Sequence, residues 1–251
     1  MSNWVLERRG SLAILTFARL PRNIMDLASA SELARLLRQI EHQADEIKVV
    51  LLLGGVDGFF IAHADIHDLA RVGRGELQAD ALNGFYDVID LLEEIPQPVI
   101  AAIDGQAWGG GSEIALACSL RIASQRANIG QPEVRIGLIP GARATRRLQE
   151  VIGPAAAQDA ILRARTFVAD DALRLGWVSE VLPVQGFRAA AIAWAETVAK
   201  LPSEGLFAAK TTLRAGLLLD HNGHARLERK LFLELLTKSD VFKKRAAQEP
   251  I

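Results

Sequence analysis

Apolar positions fall into two kinds of run that alternate along the first 185 residues. Short runs in which nearly every side chain is apolar, at 12–17, 47–53 and 98–103, have the length and β-branched content of strands buried on both faces. Between them Leu27, Leu33, Leu36, Leu37 and Ile40 recur at helical spacing, and further helical patterns cover 79–94, 155–163 and 170–175. Strands are also expected at 59–61, 120–124 and 177–184, and residues 4–8 pair with 12–17 as a hairpin turning at Arg9-Gly10. After Asp68 a polar, glycine-containing stretch to Glu76 reads as a mobile loop. Strands alternating with helices imply an α/β fold class.

Past Val184 the pattern is helical only, at 187–201, 204–219 and 225–248, the last a charged helix with Leu227, Leu231 and Leu235 on one stripe. The chain therefore divides into a core of residues 1–185 and a helical C-terminal region, 186–251, that serves as an assembly or lid element or as a covering layer.

Chemistry concentrates between Pro98 and Leu148. Gly109, Gly110 and Gly111 follow a buried strand and open a helix pattern whose first turn carries Glu113. With no Cβ there, a ligand can lie against bare backbone N–H groups at the positive end of a helix, a setting suited to an oxygen that becomes negative. Glycines in that place also serve as a tight turn only. Twenty positions on, Gln131-Pro132-Glu133 holds a second carboxylate, which the proline places on a loop. Two carboxylates beside such a site can divide acid and base work.

Composition narrows the partners. With 251 residues, half of them hydrophobic, and a formal net charge of −1, the chain buries a large core and carries no charge excess calling for nucleic acid or an anionic membrane. Arg8-Arg9 before an apolar run superficially resembles a twin-arginine signal, but the run is short and no cleavage pattern follows; no run reaches membrane-span length, and a cytoplasmic location is expected. Cys118, the single cysteine, reads as a buried structural thiol. His63 and His67 are four apart among aspartates, yet no third ligand is evident, so no metal is expected. The glycines do not give the dinucleotide spacing G-x-G-x-x-G.

Taken together, Ala62-His63-Ala64-Asp65-Ile66, PVIAAIDGQAWGGGSEIALAC and IGQPEVRIGLIPGA resemble the enoyl-CoA hydratase/isomerase family, the crotonase superfamily, and the resemblance runs from Trp4 to the final helices. It implies a spiral of ββα units with a helical C-terminal region that assembles trimers or dimers of trimers. It implies an acyl-CoA thioester as substrate, with coenzyme A part of that substrate and no separate cofactor. The backbone N–H groups of Ala64 and Gly110 would form an oxyanion hole. Glu113 would activate a water for attack on a 2-enoyl-CoA and Glu133 would protonate Cα. Ala62, His63, Asp65, Ile66, Gly109, Pro140 and Gly141 would line the substrate site. Other members isomerise or hydrolyse, and a non-catalytic acyl-CoA binder is a further reading. Three positions depart from the usual pattern: His63 replaces a small residue, Ser119 an aspartate, and Arg143 stands in a glycine-rich run near Glu133, where it either lowers that carboxyl's pKa or points to solvent.

Overall fold

The computed structural model describes residues 2–248. It opens on the expected hairpin, β1 (Trp4–Arg9) and β2 (Leu12–Phe17) paired antiparallel across Gly10, whose φ of +56° suits a residue without Cβ. Then come α1 (Leu27–Glu41), β3 (Val49–Gly54), α2 (Ile66–Gly73), α3 (Asn83–Glu94), β4 (Val99–Ile103), β5 (Gln106–Trp108) and α4 (Gly110–Ala117). The chain continues through β6 (Leu120–Ser124), β7 (Asn128–Gly130), α5 (Ala144–Ile152), α6 (Pro154–Leu162), β8 (Thr166–Val168), α7 (Ala169–Arg174) and β9 (Glu180–Leu182). Its last described helices are α8 (Phe187–Ala199), α9 (Ser203–Ala215), α10 (His221–Lys238) and α11 (Asp240–Ala246).

A six-stranded sheet runs β1-β2-β3-β4-β6-β9, parallel from β2 onward, and β5, β7 and β8 make a second sheet of three. Two successive circuits leave one strand in each sheet, β4 then β5 and β6 then β7, with a helix following β5, which is the ββα spiral expected from the sequence. Side chains alternate across the large sheet. Leu15, Phe17, Val50, Leu52, Ala101 and Ile103 face a core shared with α1, α3 and α4, whereas Leu12, Ile14, Leu51, Leu53, Ile100 and Ile122 face α8. Burial on both sides explains why these strands read as continuous apolar runs. In α8, Phe187, Ala191, Ala195 and Ala199 form the stripe at four-residue spacing that seats on the sheet.

α8 thus covers one face of the sheet, and Leu206 of α9 packs against the same core. The helical tail is further anchored: Lys210 of α9 donates to the carbonyls of Leu92, Ile95 and Gln97 at 3.0, 2.7 and 2.9 Å, closing the C-terminal end of α3.

Several elements differ from expectation. The strand expected at 59–61 is only a bridge from Phe59 to Gln106, a stub that extends the small sheet beside β5. The stretch to Glu76 is not a loop throughout, because Asp65 caps α2 by accepting from His67 N–H at 2.9 Å and Asp68 accepts from Leu27 N–H at 3.1 Å. The three-residue strands β5, β7 and β8 are too short to show a period, and α5, not among the expected helices, presents Ala144, Leu148, Val151 and Ile152 at helical spacing. The expected helix at 225–248 breaks at Ser239, whose hydroxyl accepts from Phe242 N–H and donates to Glu204.

One buried side chain stitches the first circuit together. Asn23, fully buried and at φ +55°, accepts from Arg19 N–H at 2.9 Å and donates to the carbonyls of Phe17 (3.0 Å) and Phe60. Its own carbonyl accepts from Ala62 N–H at 3.0 Å. Asparagine tolerates this backbone region and has both a donor and an acceptor to offer. Asn23→Ala leaves Arg19 N–H and Phe60 O without this partner, Phe17 O keeping Gly55 N–H at 2.6 Å, and is expected to cost about 2–4 kcal/mol of stability, read as a lower urea midpoint with an unchanged m-value.

Candidate active site

The residues expected to carry the chemistry converge where the loop before α2 meets the start of α4. Met25 N–H donates to His63 O at 2.9 Å and Asp65 N–H donates to Met25 O at 2.8 Å, so Met25 is paired with both neighbours of Ala64. That register turns Ala64 N–H away from Met25, and no group of the described residues accepts it. Gly110 begins α4, so its N–H has no intrahelical partner. The two donors are neighbours, since a Cβ on Gly110 would lie 3.1 Å from Ala64 N, 2.8 Å from Ala64 Cβ and 3.1 Å from the tip of Phe85. Gly111 is tighter still, its absent Cβ falling 1.9 Å from Ile61 O. Gly109 turns the chain into the helix at φ +48° while donating its N–H to Gly130 O at 2.9 Å. Paired donors of this kind suit an oxygen that gains negative charge.

Two carboxylates flank them. Glu113, in the first turn of α4, is 5% exposed and accepts from Ala142 N–H at 2.6 Å through Oε1. Burial pushes its pKa up to about 6, against the opposing pull of the Ala142 N–H and the charge of Arg147. Glu133 opens a short 3₁₀ turn, Glu133–Ile136, and its Oε1 lies 3.0 Å from where a Gly109 Cβ would sit. Its Oε2 is buried and takes no hydrogen bond from the described residues. Burial, with the nearby Glu113 charge adding to it, pushes Glu133 up to about 7. Both carboxyls are therefore raised toward neutrality, a range in which a carboxyl can serve as acid or base.

A cavity of ≈ 460 Å³ joins these groups. Glu113, Glu133, Ala64, Gly110, His63, Asp65, Ile66, Gly109 and Gly141 all line it. Ala62 and Pro140 do not, contrary to expectation. Ala62 is fully buried behind the wall, its carbonyl accepting from Trp108 N–H at 2.9 Å, and Pro140 is buried beside Gly141 rather than facing the cavity. Asp65 reaches the rim but is committed to capping α2 and to Arg19 at 3.4 Å. His63 is half-buried, and its Nδ1 is 2.8 Å from Ala64 O; a carbonyl only accepts, so Nδ1 carries the proton there. Arg143 is not against Glu133: it pairs with Asp90 at 2.5 Å on the surface. Ser119 Oγ accepts from Val99 N–H at 3.3 Å, and Cys118 is a buried thiol pushed up to about 12 by its surroundings.

Sequence reasoning missed the apolar wall of Met25, Leu82, Phe85, Tyr86 and Trp108 and the Ala142 N–H that grips Glu113. The Pro140-Gly141-Ala142 run was the available signal for the last of these. Leu82, Phe85 and Tyr86 share one helical face at i, i+3 and i+4, whereas Met25 and Trp108 come from separate segments that no local pattern joins to it.

A family model for enoyl-CoA hydratase/isomerase matches residues 7–248, and the chain belongs to that family. Within it, the chain is 37% identical to the short-chain-enoyl-CoA hydratase of Clostridium acetobutylicum over 72% of this chain and 69% of that one. It is 31% identical to the mitochondrial enoyl-CoA hydratase of Pongo abelii over 94% of this chain and 81% of that one. The crystal structure of enoyl-CoA hydratase from Bacillus anthracis superposes with a TM-score of 0.91 at 30% identity, covering 98% of this chain and 95% of that chain.

Raised carboxyl pKa values have a stability consequence. The folded state holds protons on Glu113 and Glu133 that the unfolded chain has released, so the stability these groups contribute is present below the ordinary carboxyl value and lost as pH rises through about 6 and about 7. Glu133→Gln, which stays neutral, is expected to be more stable than wild type by about 1–3 kcal/mol at pH 8, with the difference vanishing near pH 4. Denaturant titrations at the two pH values check this.

Proposed function

We propose that this protein is an enoyl-CoA hydratase, a hydro-lyase that adds water across the 2,3 double bond of a 2-enoyl-CoA thioester. The observation that carries this reading is the convergence, in one cavity, of a buried and a half-buried carboxylate, both with raised pKa, and two backbone donors without partners among the described residues. Ala64 and Gly110 N–H receive the thioester oxygen, which polarises the enoyl system and makes Cβ electrophilic. Each such donor is worth about a hundred- to a thousand-fold in rate. Glu113, held in place by Ala142 N–H, orients a water and takes its proton as the oxygen bonds to Cβ. Charge passes to the thioester oxygen as an enolate, and Glu133 delivers a proton to Cα as the carbonyl re-forms. Water supplies one hydrogen and the hydroxyl, and the two carboxyls exchange protons with solvent to complete the cycle.

Acyl-CoA is the partner this reading requires. Self-association as a trimer or a dimer of trimers is supported by the exposed apolar residues of the tail, among them Leu213, Leu217, Leu218, Phe232 and Phe242. Among the described residues no helix is long and apolar enough to cross a membrane, and a cytoplasmic location is proposed with the rest.

Crotonyl-CoA is expected to lose its conjugated-enoyl absorbance when the protein is added. Glu113→Gln and Glu133→Gln should each lower kcat by about a hundredfold or more while still binding the thioester, measured by calorimetry. Binding without turnover by the wild type sinks the hydratase reading and leaves isomerisation, hydrolysis or simple acyl-CoA binding.

A further inference from the structure

Glu113 is held through Ala142, on the cavity wall, by Arg147 and Glu93, which do not line the cavity. The residue that grips its Oε1, Ala142, is itself gripped: its carbonyl accepts from Arg147 Nη1 at 2.9 Å. Arg147 lies on α5, is 6% exposed, donates from Nε to Glu93 Oε1 at 2.6 Å and pairs with the same carboxylate through Nη2. Glu93 belongs to α3, the helix whose Phe85 abuts Gly110. One turn earlier Arg143 pairs with Asp90 at 2.5 Å and reaches Glu93 at 3.6 Å.

The stretch leading to Ala142 has little packing of its own to place that residue. From Arg135 to Gly141 every residue except Pro140 is exposed, Ile139 at 72%, and a Cβ on Gly137 or Gly141 would touch nothing within 4 Å. Arg143 adopts φ +67°, a region that costs a non-glycine residue about 1–2 kcal/mol, so the start of α5 is kept in shape by its ion pairs rather than by backbone preference.

We propose that Arg147, fixed by Glu93, is a positioning residue for hydration: it sets the place of Ala142 N–H and, through it, the carboxylate of Glu113. The inference rests on the hydratase reading and deepens it. Arg147 acts by charge as well as by place, because its guanidinium favours the ionised form of Glu113 that burial disfavours. Of the other elements packed against α4, α3 brings Glu93 and Asp90 and the residue capping α5 is Arg143, while β4 and β5 carry no charged side chain. From the cavity side the charged or titratable groups are Glu133 and Arg135 on the 3₁₀ turn, His63, Asp65 and Asp68 on the segment opposite, Arg22 and Asp26 before α1, and Tyr86 of α3.

The test is a pair of substitutions with opposite signs. Arg147→Met removes the cation, so Glu113 ionises at higher pH and the acid limb of kcat moves up by about half a unit or more. Its kcat should fall about ten- to a hundredfold through misplacement, with KM for crotonyl-CoA within about threefold of wild type. Glu93→Gln leaves the guanidinium un-neutralised, so its acid limb moves down while kcat falls less. Arg147→Lys should restore the limb but not the full kcat, since an ammonium lacks the planar fork that spans Ala142 O and Glu93. Unmoved limbs, or limbs moving the same way in the Met and Gln variants, overturn the proposal and leave the pair as a stability contact. Should Arg147→Met fail to fold, Glu93→Gln and Arg147→Lys decide between the same outcomes. Carboxyl-labelled glutamate, titrated by NMR in the same variants, follows Glu113 without turnover. A failed reaction assignment is thereby distinguished from a failed positioning role.

Discussion

Two stretches of backbone approach each other more closely than any side chain allows, and the rest of the site depends on that approach. The loop from Ile61 to Ala64 lies against Gly110 and Gly111, with Ile61 O only 1.9 Å from where a Gly111 Cβ would fall. Because nothing intervenes, the N–H groups of Ala64 and Gly110 become neighbours although they belong to different circuits of the spiral. The pairing of Met25 with His63 and Asp65 holds one donor, and the first turn of α4 holds the other. Both are fixed by structure that forms on folding, the preorganisation that the proposed role of receiving an oxygen requires.

The same geometry governs the acids. Starting α4 immediately after the glycines puts Glu113 in its first turn, deep in the core, where burial raises its pKa and a single backbone donor holds its oxygen. Glu133 is reached by a different route, through β7 and the turn at Pro132, and arrives against Gly109 with one oxygen left unpaired by the described residues. Charge repulsion between the two adds to the burial of Glu133, so the pair can carry one proton at neutral pH. Two identical side chains are thus made chemically unequal by where the fold puts them.

α3 serves both halves of this arrangement. Its Phe85 closes the wall beside Gly110, its Glu93 holds Arg147 behind Ala142, and its C-terminal carbonyls are capped by Lys210 from the helical tail. Burial draws the Lys210 pKa down to about 8, and its three carbonyl partners are what allow an ammonium to sit there at all. The tail is therefore tied to the same helix that frames the site.

Much of this was legible in the amino-acid sequence because its cause is local. The doubly buried strands at 12–17 and 98–103, the helix at 27–40, the glycine triplet opening a helix and the placement of Glu113 in its first turn each follow from the spacing of a few adjacent residues. Glu133 was legible as a second carboxylate set on a loop by Pro132, and family resemblance added Ala64 as a candidate partner. What tertiary structure alone decided is what depends on contacts between distant segments: that Phe59 is a bridge and not a strand, that Ala62 lies behind the wall while His63 lies on it, and that Arg143 turns to Asp90 rather than Glu133. The nearness of Ala142 to Glu113, and of Arg147 to Ala142, belongs to the same class. Periodicity along a chain reports which face a residue turns to the core, whereas a hydrogen bond between Glu113 and a peptide 29 residues away is set only when whole layers pack.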